Sequence, residues 1–236
     1  MIPVVKEGFV SLLLQGNLLN LLIAYLVLLY NTYVGNSNRL PSSFYELPTL
    51  QVARSLLGKL VVRLFDGQRI GGFIIETEAY CGEKDLGCHA RAGLTPRTQV
   101  MYGPPGHAYV YFTYGMHWLF NIVTESAGFP AAVLIRAVVP NEGLDIIASR
   151  RNGQPSHLWT NGPAKLCQAL GIDGLFNGVD LCDHESLLFM EFGAEIPDSF
   201  VTTTPRVGLN NVAEPWESIP WRFVSTLPQH LLLEAT

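Results

Sequence analysis

Two glutamates, two positions apart in an otherwise apolar segment, are the first residues of this sequence that suggest chemistry. Glu76 and Glu78 lie within residues 69–80, a segment with the two-residue alternation of a β-strand. On a strand, positions two apart point to one face and lie roughly 6–7 Å apart. Carboxylates at that distance can serve as general acid and general base, as in inverting sugar hydrolysis. The alternative is an exposed strand face that simply carries charge, which the pattern alone favours.

Polar aromatic residues are concentrated in the middle of the chain. They are Tyr80, His89, Tyr102, Tyr109, Tyr111, Tyr114, His117 and Trp118. In a strand over residues 108–114, Tyr109 and Tyr111 share one face, whereas Tyr114 points the other way at a turn. Aromatic residues in strands usually belong to the core. A buried tyrosine hydroxyl needs a partner, however, and a slot lined by Tyr and His suits a planar heterocycle stacked between rings.

Two polar residues interrupt apolar runs further along the chain. Arg136 stands in AAVLIRAVV, so it lies either at a sheet edge or buried beside a carboxylate. Asn121 stands in WLFNIV, where its amide has to satisfy several hydrogen bonds. A structural bond to the backbone and a functional role explain Asn121 equally well.

Turn residues divide the chain into the elements that have to position these side chains. Asp66-Gly67 joins two predicted strands, and Gly115 lies in the turn of a second hairpin. A helix over residues 48–57 precedes them and ends at Gly58. The predicted strands are residues 59–65, 69–80, 108–114, 118–124 and 131–139, with a loop over residues 82–106 between the hairpins.

Two helices and a strand-rich tail complete the prediction. Asn141 is a suitable N-cap for a helix over residues 142–151. Asn161 has the same role in a second helix, where Pro163 occupies the first turn and Gly171 follows the end. Short apolar runs separated by Pro and Gly, typical of short strands, follow towards the C-terminus. Because strands occur in hairpins rather than alternating with helices, we predict one mixed α/β (α+β) domain with a largely antiparallel sheet and flanking helices.

The composition limits the class of protein. The chain has 236 residues, of which 48% are hydrophobic and 15% charged, enough for one domain with a sizeable core. Its net charge of −5 gives no indication of nucleic acid, so a polyanion-binding surface would have to gather the positive residues on one face. The cysteines form no C-x-x-C pair, and Cys88-His89 has no partner pair at ligand spacing. We therefore expect free thiols in a reducing compartment, with no metal and no cofactor.

The first forty residues differ in composition from the rest. Residues 9–33 are rich in leucine, but their purest part, residues 18–30, is shorter than the roughly 20 residues of a membrane-spanning helix. No positive n-region or small-residue cleavage site marks a signal peptide. A membrane anchor, a degenerate signal and upstream sequence translated from a wrong start remain, and we favour the third. We therefore expect a leader of doubtful status over residues 1–40, a folded domain over residues 41–236, and a cytoplasmic protein that is nucleoid-associated if bacterial.

A series of short runs in the folded part resembles the alkyladenine (3-methyladenine) DNA glycosylase family of bacteria and animals. These runs are LLG (56–58), IETEAY (75–80), TPR (95–97), YVY (109–111), YGM (114–116), LIR (134–136), GPAKL (162–166), PRVG (205–208) and PWRF (220–223). The resemblance covers roughly residues 42–224 in consistent order, which no single short motif imitates. It implies a curved antiparallel sheet and a base-excision repair enzyme. Such an enzyme flips an alkylated or deaminated purine, such as 3-methyladenine or hypoxanthine, out of duplex DNA and hydrolyses its N-glycosidic bond.

The resemblance also implies roles for residues around the bond that breaks. Glu78 matches the general base that deprotonates the attacking water, and Arg136 matches the residue that holds this water and the base in place. Three further residues match those that line the family's pocket for the flipped base, namely Tyr80, His89 and Tyr111. Glu76 shares the strand face of Glu78 by strict alternation, but the resemblance gives it no catalytic role, and a twist or bulge there would turn it away.

Further matches concern selectivity and DNA binding. Asn121 matches the residue that guards the pocket floor and clashes with the 2-amino group of guanine. Tyr114 matches the tyrosine that wedges into the minor groove. Arg97 resembles a phosphate contact, although the loop before it is one residue shorter than in the animal enzymes. No lysine stands out as a Schiff-base nucleophile, so we expect a monofunctional enzyme. With the resemblance we expect damaged double-stranded DNA as the partner, a monomeric protein and no obligatory protein partner.

Two rival functions make different predictions. A carbohydrate hydrolase that uses Glu76 and Glu78 as acid and base predicts that both glutamates matter equally and that Tyr114 does not. A damage-binding module without activity predicts that Glu78 is dispensable. The length of the resemblance outweighs both rivals, although the sequence identifies no general acid for neutral lesions.

Overall fold

The hairpin predicted at Asp66-Gly67 lies at the centre of the fold. In the computed structural model, which describes residues 38–234, this dipeptide joins strands β1 (Leu60–Phe65) and β2 (Gln68–Cys81) in antiparallel register. Asp66 and Gly67 have φ of 48° and 75°. Positive φ at both central residues matches the twist of the flanking strands, which explains why Asp-Gly closes this hairpin.

The remaining strands extend the hairpin into one antiparallel sheet. They are β3 (Ala108–Thr113), β4 (His117–Val123), β5 (Ala131–Glu142), β6 (Leu188–Glu191), β7 (Val201–Thr204) and β8 (Arg222–Ser225). The main path through the sheet runs β3-β4-β5-β2-β1-β6, and β8 pairs with both β2 and β7. All of these strand pairs are antiparallel, so the prediction of a mixed α/β domain with a largely antiparallel sheet is confirmed.

Short helices flank the sheet. The α-helices are α1 (Ser42–Tyr45), α2 (Thr49–Ser55), α3 (Leu144–Arg150), α4 (Pro163–Leu170) and α5 (Gln229–Leu233). Single 3₁₀ turns cover His89–Ala92, Gln99–Tyr102, Ser156–Leu158, Gly174–Phe176 and Asp198–Phe200. Helix α2 confirms the first predicted helix: Pro48 is its N-cap, and the chain leaves the helix before Gly58, which has φ of 84°.

The two faces of the sheet pack against different partners. Phe120 and Ile122 of β4 are fully buried in the main core, which also contains Leu166 of α4. Because side chains alternate along a strand, Asn121 points to the other face. A second, smaller cluster lies there and consists of Cys88, Ala90, Met101, Tyr109, Val123 and Ala132. This second face carries the aromatic and polar residues singled out in the sequence.

The predicted start of the third helix is wrong. Strand β5 continues through Asn141 to Glu142, and α3 begins at Leu144 after Gly143, which has φ of 63°. Glu142 Oε2 accepts a hydrogen bond from Nε of Arg69 at 3.0 Å. This contact with β2 keeps the chain in the sheet, and an N-cap pattern in the local sequence does not reveal it.

The next helix has the predicted bounds but a different cap. Helix α4 has Pro163 in its first turn and ends at Gly171, which has φ of 68°. Its N-cap is Gly162, whereas Asn161 Oδ1 accepts a hydrogen bond from Lys165 Nζ at 2.9 Å. The prediction of Asn161 as the cap is therefore wrong, because its amide oxygen already has a partner on the next turn.

Two residues that precede the predicted boundary at residue 41, Arg39 and Leu40, pack against the domain. Leu40 is fully buried, and the Arg39 guanidinium lies 3.6 Å from the ring centroid of Phe189. Most of the predicted leader, residues 1–37, lies outside the described residues, so its status stays a prediction. In the part of the chain that the structure describes, no helix is long and apolar enough to span a bilayer.

Candidate active site

An irregularity in the sheet places an arginine between the two glutamates. The register between β2 and β5 shifts on either side of Glu76, so that the pairing on β5 jumps from Ala137 to Ile135. Arg136 is the skipped residue, as in a β-bulge. Its Nε lies 2.8 Å from Glu76 Oε1, and its Nη1 lies 3.3 Å from Glu78 Oε2. The irregularity therefore does not turn Glu76 away but brings it onto an arginine that it shares with Glu78.

Glu78 is fully buried and has several hydrogen-bond donors around it. Its Oε1 accepts from the backbone N–H of Val207 at 2.7 Å, and its Oε2 accepts from the Tyr80 hydroxyl at 2.8 Å as well as from Arg136. Burial raises the pKa of Glu78, and the contacts with Arg136, Val207 and Tyr80 partly offset this rise. The two carboxylate oxygens offer about four lone-pair positions, so the three donors leave one for a water.

A cavity of about 220 Å³ opens beside Arg136. The aromatic and amide residues predicted for the base pocket all line it, namely Tyr80, His89, Tyr111 and Asn121. The rings of His89 and Tyr111 meet at 72° with their centroids 4.5 Å apart. Glu78 lies behind Tyr80 and Arg136, its two hydrogen-bonded neighbours at the cavity wall. A slot of this kind, with aromatic rings and hydrogen-bonding groups on its walls, suits a planar heterocycle.

His89 faces the cavity as a neutral imidazole. Its Nδ1 lies 2.9 Å from the Tyr109 hydroxyl. Burial lowers the pKa of His89 to about 4, and the positive charges of Arg97 and Arg91 contribute to the decrease. A neutral imidazole has one N–H donor and one acceptor nitrogen. At neutral pH, His89 therefore offers hydrogen bonding rather than charge to a heterocycle.

Asn121 has both a structural bond and a place at the cavity. Its Nδ2 donates to the backbone carbonyl of Tyr109 at 3.0 Å, and the residue is buried. Asn121 also lines the cavity. The two interpretations of this residue are therefore compatible, since the bond to the backbone fixes the amide at the cavity wall.

Tyr114 and Arg97 lie at the mouth of the cavity. Tyr114 follows β3 in the hairpin turn, has φ of 51° and is 85% exposed. Arg97 is exposed, with its Cζ 5.0 Å from the ring centroid of Tyr111. An exposed ring and an exposed cation beside a pocket can contact a ligand that is larger than the pocket itself.

The sequence interpretation missed a buried ion pair behind Tyr80. Arg206 Nη1 and Nη2 lie 2.6 and 2.8 Å from the carboxylate oxygens of Asp85, and both side chains are fully buried. The Arg206 guanidinium lies 4.7 Å from the ring centroid of Tyr80. Asp85 also accepts from the backbone N–H of Gly87, in the loop that leads to His89. The pair thus supports one wall of the cavity and fixes the loop that supplies another.

Two further groups of the site come from the C-terminal part of the chain. The backbone N–H of Val207 contacts Glu78, and Arg222 Nη1 lies 3.6 Å from Glu76 Oε1. The PRVG and PWRF runs carried the resemblance at these positions but indicated no role. A backbone donor has no side-chain signature, so only the arginine of PWRF offered a signal in the sequence.

Among residues 38–234, the cysteine and acidic side chains form neither a disulfide nor a candidate metal site. Cys81, Cys88, Cys167 and Cys182 are free. No group of three or more His, Cys, Asp or Glu side chains in this part of the chain could hold a metal ion.

Comparisons with known proteins identify similar proteins for most of the chain. Residues 43–228 match the family model described as methylpurine-DNA glycosylase. Several similar proteins share the name "Putative 3-methyladenine DNA glycosylase". The one from Myxococcus xanthus is 48% identical over 194 residues, covering 82% of this chain and 93% of the relative. Those from Methanocella arvoryzae and Chlorobaculum parvum are 47% and 44% identical, over 78% and 82% of this chain and 90% of each relative.

Proposed function

Because the chain belongs to the methylpurine-DNA glycosylase family, we propose that it removes damaged purines from duplex DNA with a water activated by Glu78. It is a DNA glycosylase of base-excision repair, a hydrolase that acts on N-glycosyl bonds. The target purine is flipped into the aromatic cavity before the bond is hydrolysed. Alkylated and deaminated purines, such as 3-methyladenine and hypoxanthine, are the proposed substrates.

A buried carboxylate beside an aromatic cavity is the observation that carries this proposal. Glu78 is fully buried, shares Arg136 with Glu76, and lies directly behind the wall that Tyr80 contributes. Burial raises the pKa of Glu78, which makes the ionised carboxylate a stronger base. A water that binds the remaining lone pair of Glu78 also lies within reach of Arg136, so the two side chains can orient it towards the sugar of a flipped nucleotide.

The proposed reaction is a hydrolysis at the sugar C1′. Glu78 takes a proton from the water as the water oxygen forms its bond to C1′, and the bond from C1′ to the purine nitrogen breaks. The purine leaves with the bonding electron pair. A 3-methylated adenine is already cationic, so it departs as a neutral molecule without help from an acid. Among the described residues that line the cavity, none is a lysine, which supports simple hydrolysis over a step through a Schiff base.

The residues at the mouth of the cavity support binding to duplex DNA. Tyr114 projects from a hairpin turn, where its ring can replace part of the stacking that the flipped nucleotide loses. Arg97 is exposed nearby and is the proposed phosphate contact. We propose that a single copy of the chain acts on the duplex.

Replacement of Glu78 by glutamine tests the proposal. Glu78→Gln keeps the size of the side chain and removes its basicity. We expect excision to fall by at least about 10²–10⁴, the usual contribution of a general base, while binding to lesion-containing duplex is retained. Single-turnover release of 3-methyladenine and fluorescence anisotropy with labelled duplex measure the two properties.

The control is Glu142→Gln, which removes a carboxylate from the same sheet at its contact with Arg69. This variant is expected to excise as fast as the wild type. Near-full activity of Glu78→Gln would show that another group activates the water. A wild-type protein that binds damaged duplex but releases no base would support the damage-binding alternative.

A further inference from the structure

Glu76 is a polar residue of the site to which neither the resemblance nor the proposed reaction gives a role. Its carboxylate makes the shorter of the two contacts with Arg136, at 2.8 Å against 3.3 Å for Glu78. Arg222 of β8 approaches the same oxygen of Glu76 at 3.6 Å. The side chain of Glu76 is 20% exposed, whereas that of Glu78 is fully buried. Arg136 therefore makes its shortest contact with the outer glutamate, not with the proposed base.

The Arg136 guanidinium divides its N–H donors between two carboxylates, and this affects how well Glu78 can accept a proton. A guanidinium that binds one carboxylate through two parallel N–H···O bonds stabilises the anion strongly and makes it a poor proton acceptor. In this site, Nε is directed to Glu76 and only Nη1 reaches Glu78. The bulge that skips Arg136 in the β5 pairing sets this geometry.

We propose that Glu76 is a positioning residue for the glycosylase reaction: it holds the Arg136 guanidinium between two carboxylates and so prevents a full ion pair between Arg136 and Glu78. The inference rests on the proposed role of Glu78. It assigns to the first glutamate of IETEAY a purpose that differs from acid catalysis, since Glu76 acts only through Arg136.

The charged, titratable and hydrogen-bonding groups around Glu78 come from several elements and together set its proton affinity. They are Glu76 and Tyr80 on β2, Tyr111 on β3, Arg136 on β5, Arg222 on β8, and Arg206 with the Val207 N–H in the segment before β8. Burial raises the pKa of Glu78, Arg136 lowers it, and the negative charge of Glu76 raises it. Loss of Glu76 removes a negative neighbour and frees Arg136 to pair fully with Glu78. Both changes lower the pKa of Glu78 and weaken it as a base.

The experiment is the pH dependence of base release by Glu76→Gln in the full-length chain. The substrate is methylated duplex DNA that releases 3-methyladenine, whose fixed charge keeps the lesion itself from titrating. Activity requires ionised Glu78, so the rate rises with pH through its pKa. In Glu76→Gln we expect this acidic limb to move to lower pH. The maximal single-turnover rate should fall by roughly tenfold, less than the loss expected from removing the base itself.

Two further variants make the result specific. Glu76→Asp retains the charge and should restore the acidic limb towards its wild-type position. Glu142→Gln is the matched control, because Arg69 is also shared by two glutamates, with Glu142 at 3.0 Å and Glu191 at 2.7 Å. It should leave both the pH profile and the maximal rate unchanged.

A different outcome would overturn the inference. If Glu76 only ties β8 to the sheet through Arg222, Glu76→Gln lowers the melting temperature and reduces the rate equally at every pH. An unmoved acidic limb, with wild-type excision that still depends on Glu78, refutes the role of Glu76 alone. Loss of the dependence on Glu78 refutes the proposed function itself, so the two failures are distinguishable.

Discussion

At the scale of single residues, the amide of Asn121 is expected to decide which purines react. Asn121 lines the cavity and is fixed there by its bond to the Tyr109 carbonyl. In the wild type, the amide of Asn121 is expected to clash with the 2-amino group of guanine and to leave a hydrogen-bond donor unpaired. In Asn121→Ser, the smaller side chain removes this conflict. We expect release of normal guanine from undamaged duplex to rise by roughly tenfold or more, the scale of a single pocket contact, while 3-methyladenine release changes little. Chromatography of the released bases measures both.

Asn177→Ser provides the control for this prediction. Asn177 Oδ1 accepts from the backbone N–H of Val110, so this amide also binds β3, but it lies outside the cavity. Its loss should affect stability without any gain in guanine release. If Asn121→Ser instead loses activity equally on every substrate, Asn121 has only a structural role through its hydrogen bond to the Tyr109 carbonyl.

Some residues of the site could be predicted from the sequence and others could not. The strand spacing of Glu78 and Tyr80 and the arginine in an apolar run identified side chains that the structure does bring together. The sequence could not reveal the Val207 N–H, which is a backbone group, or the partnership of Arg206 with Asp85. That ion pair joins residues 121 positions apart, and no local pattern relates them.

At the scale of elements, the β3–β4 hairpin supplies a wall of the cavity and carries the exposed ring that we propose to insert into DNA. Tyr111 lines the cavity from β3, and Tyr114 projects from the turn with 85% exposure. Flipping a nucleotide costs a few kcal/mol, and an inserted ring recovers part of this cost. Tyr114→Ser should therefore slow excision from fully paired duplex. The loss should be smaller at a mismatched lesion, where less extrusion work remains. Single-turnover rates on the two duplexes measure the difference.

The matched variant Tyr114→Phe keeps the ring and removes only the hydroxyl. It should excise nearly as fast as the wild type on both duplexes. A lower melting temperature for Tyr114→Ser, with an equal loss on paired and mismatched DNA, would mean that Tyr114 stabilises the hairpin rather than the flipped state.

Turns and helix ends that need a residue with positive φ were predicted better than element boundaries that depend on contacts between distant residues. Asp66-Gly67 and Gly171 require positive φ, and the hairpin and helix end that they predict are present. The start of α3 was wrong because the Glu142–Arg69 contact between strands prolongs β5. A twist or bulge near Glu76 was anticipated, but the sequence could not show that Arg136 is the skipped residue, because the apolar run around Arg136 has no alternation of polar and apolar residues that would mark the register shift.

At the scale of the whole molecule, the start of the domain can be tested by shortening the chain. We propose that the leader is dispensable, so a chain that begins at Asn38 should fold and excise as well as the full-length protein. A chain that begins at Pro41 loses Leu40, which is fully buried, and the contacts of Arg39. It should lose about 1.5–3 kcal/mol of unfolding free energy from the leucine alone. Urea denaturation of the two shortened chains measures this difference.

Equal stability of the two shortened chains would show that Arg39 and Leu40 contribute little to the domain. Recovery of the full-length protein from washed membranes, with its leader intact by mass spectrometry, would contradict the dispensable leader.

The contact between Glu78 and Val207 has a consequence for the newly synthesised chain. The two residues are 129 positions apart, and β8, which pairs beside Glu78, lies further along still. A chain leaves the ribosome from its N-terminus, and long-range contacts form last because closing a long loop costs entropy. Glu78 is therefore translated well before Val207 and β8, which help to bury it. Until the last strand has emerged, Glu78 remains hydrated and Tyr80 lacks its backing by Arg206. If Glu78 is the base, as proposed, a nascent or prematurely terminated chain carries the residues of the base pocket without a buried Glu78, and release of damaged purines is expected to begin only when translation is nearly complete.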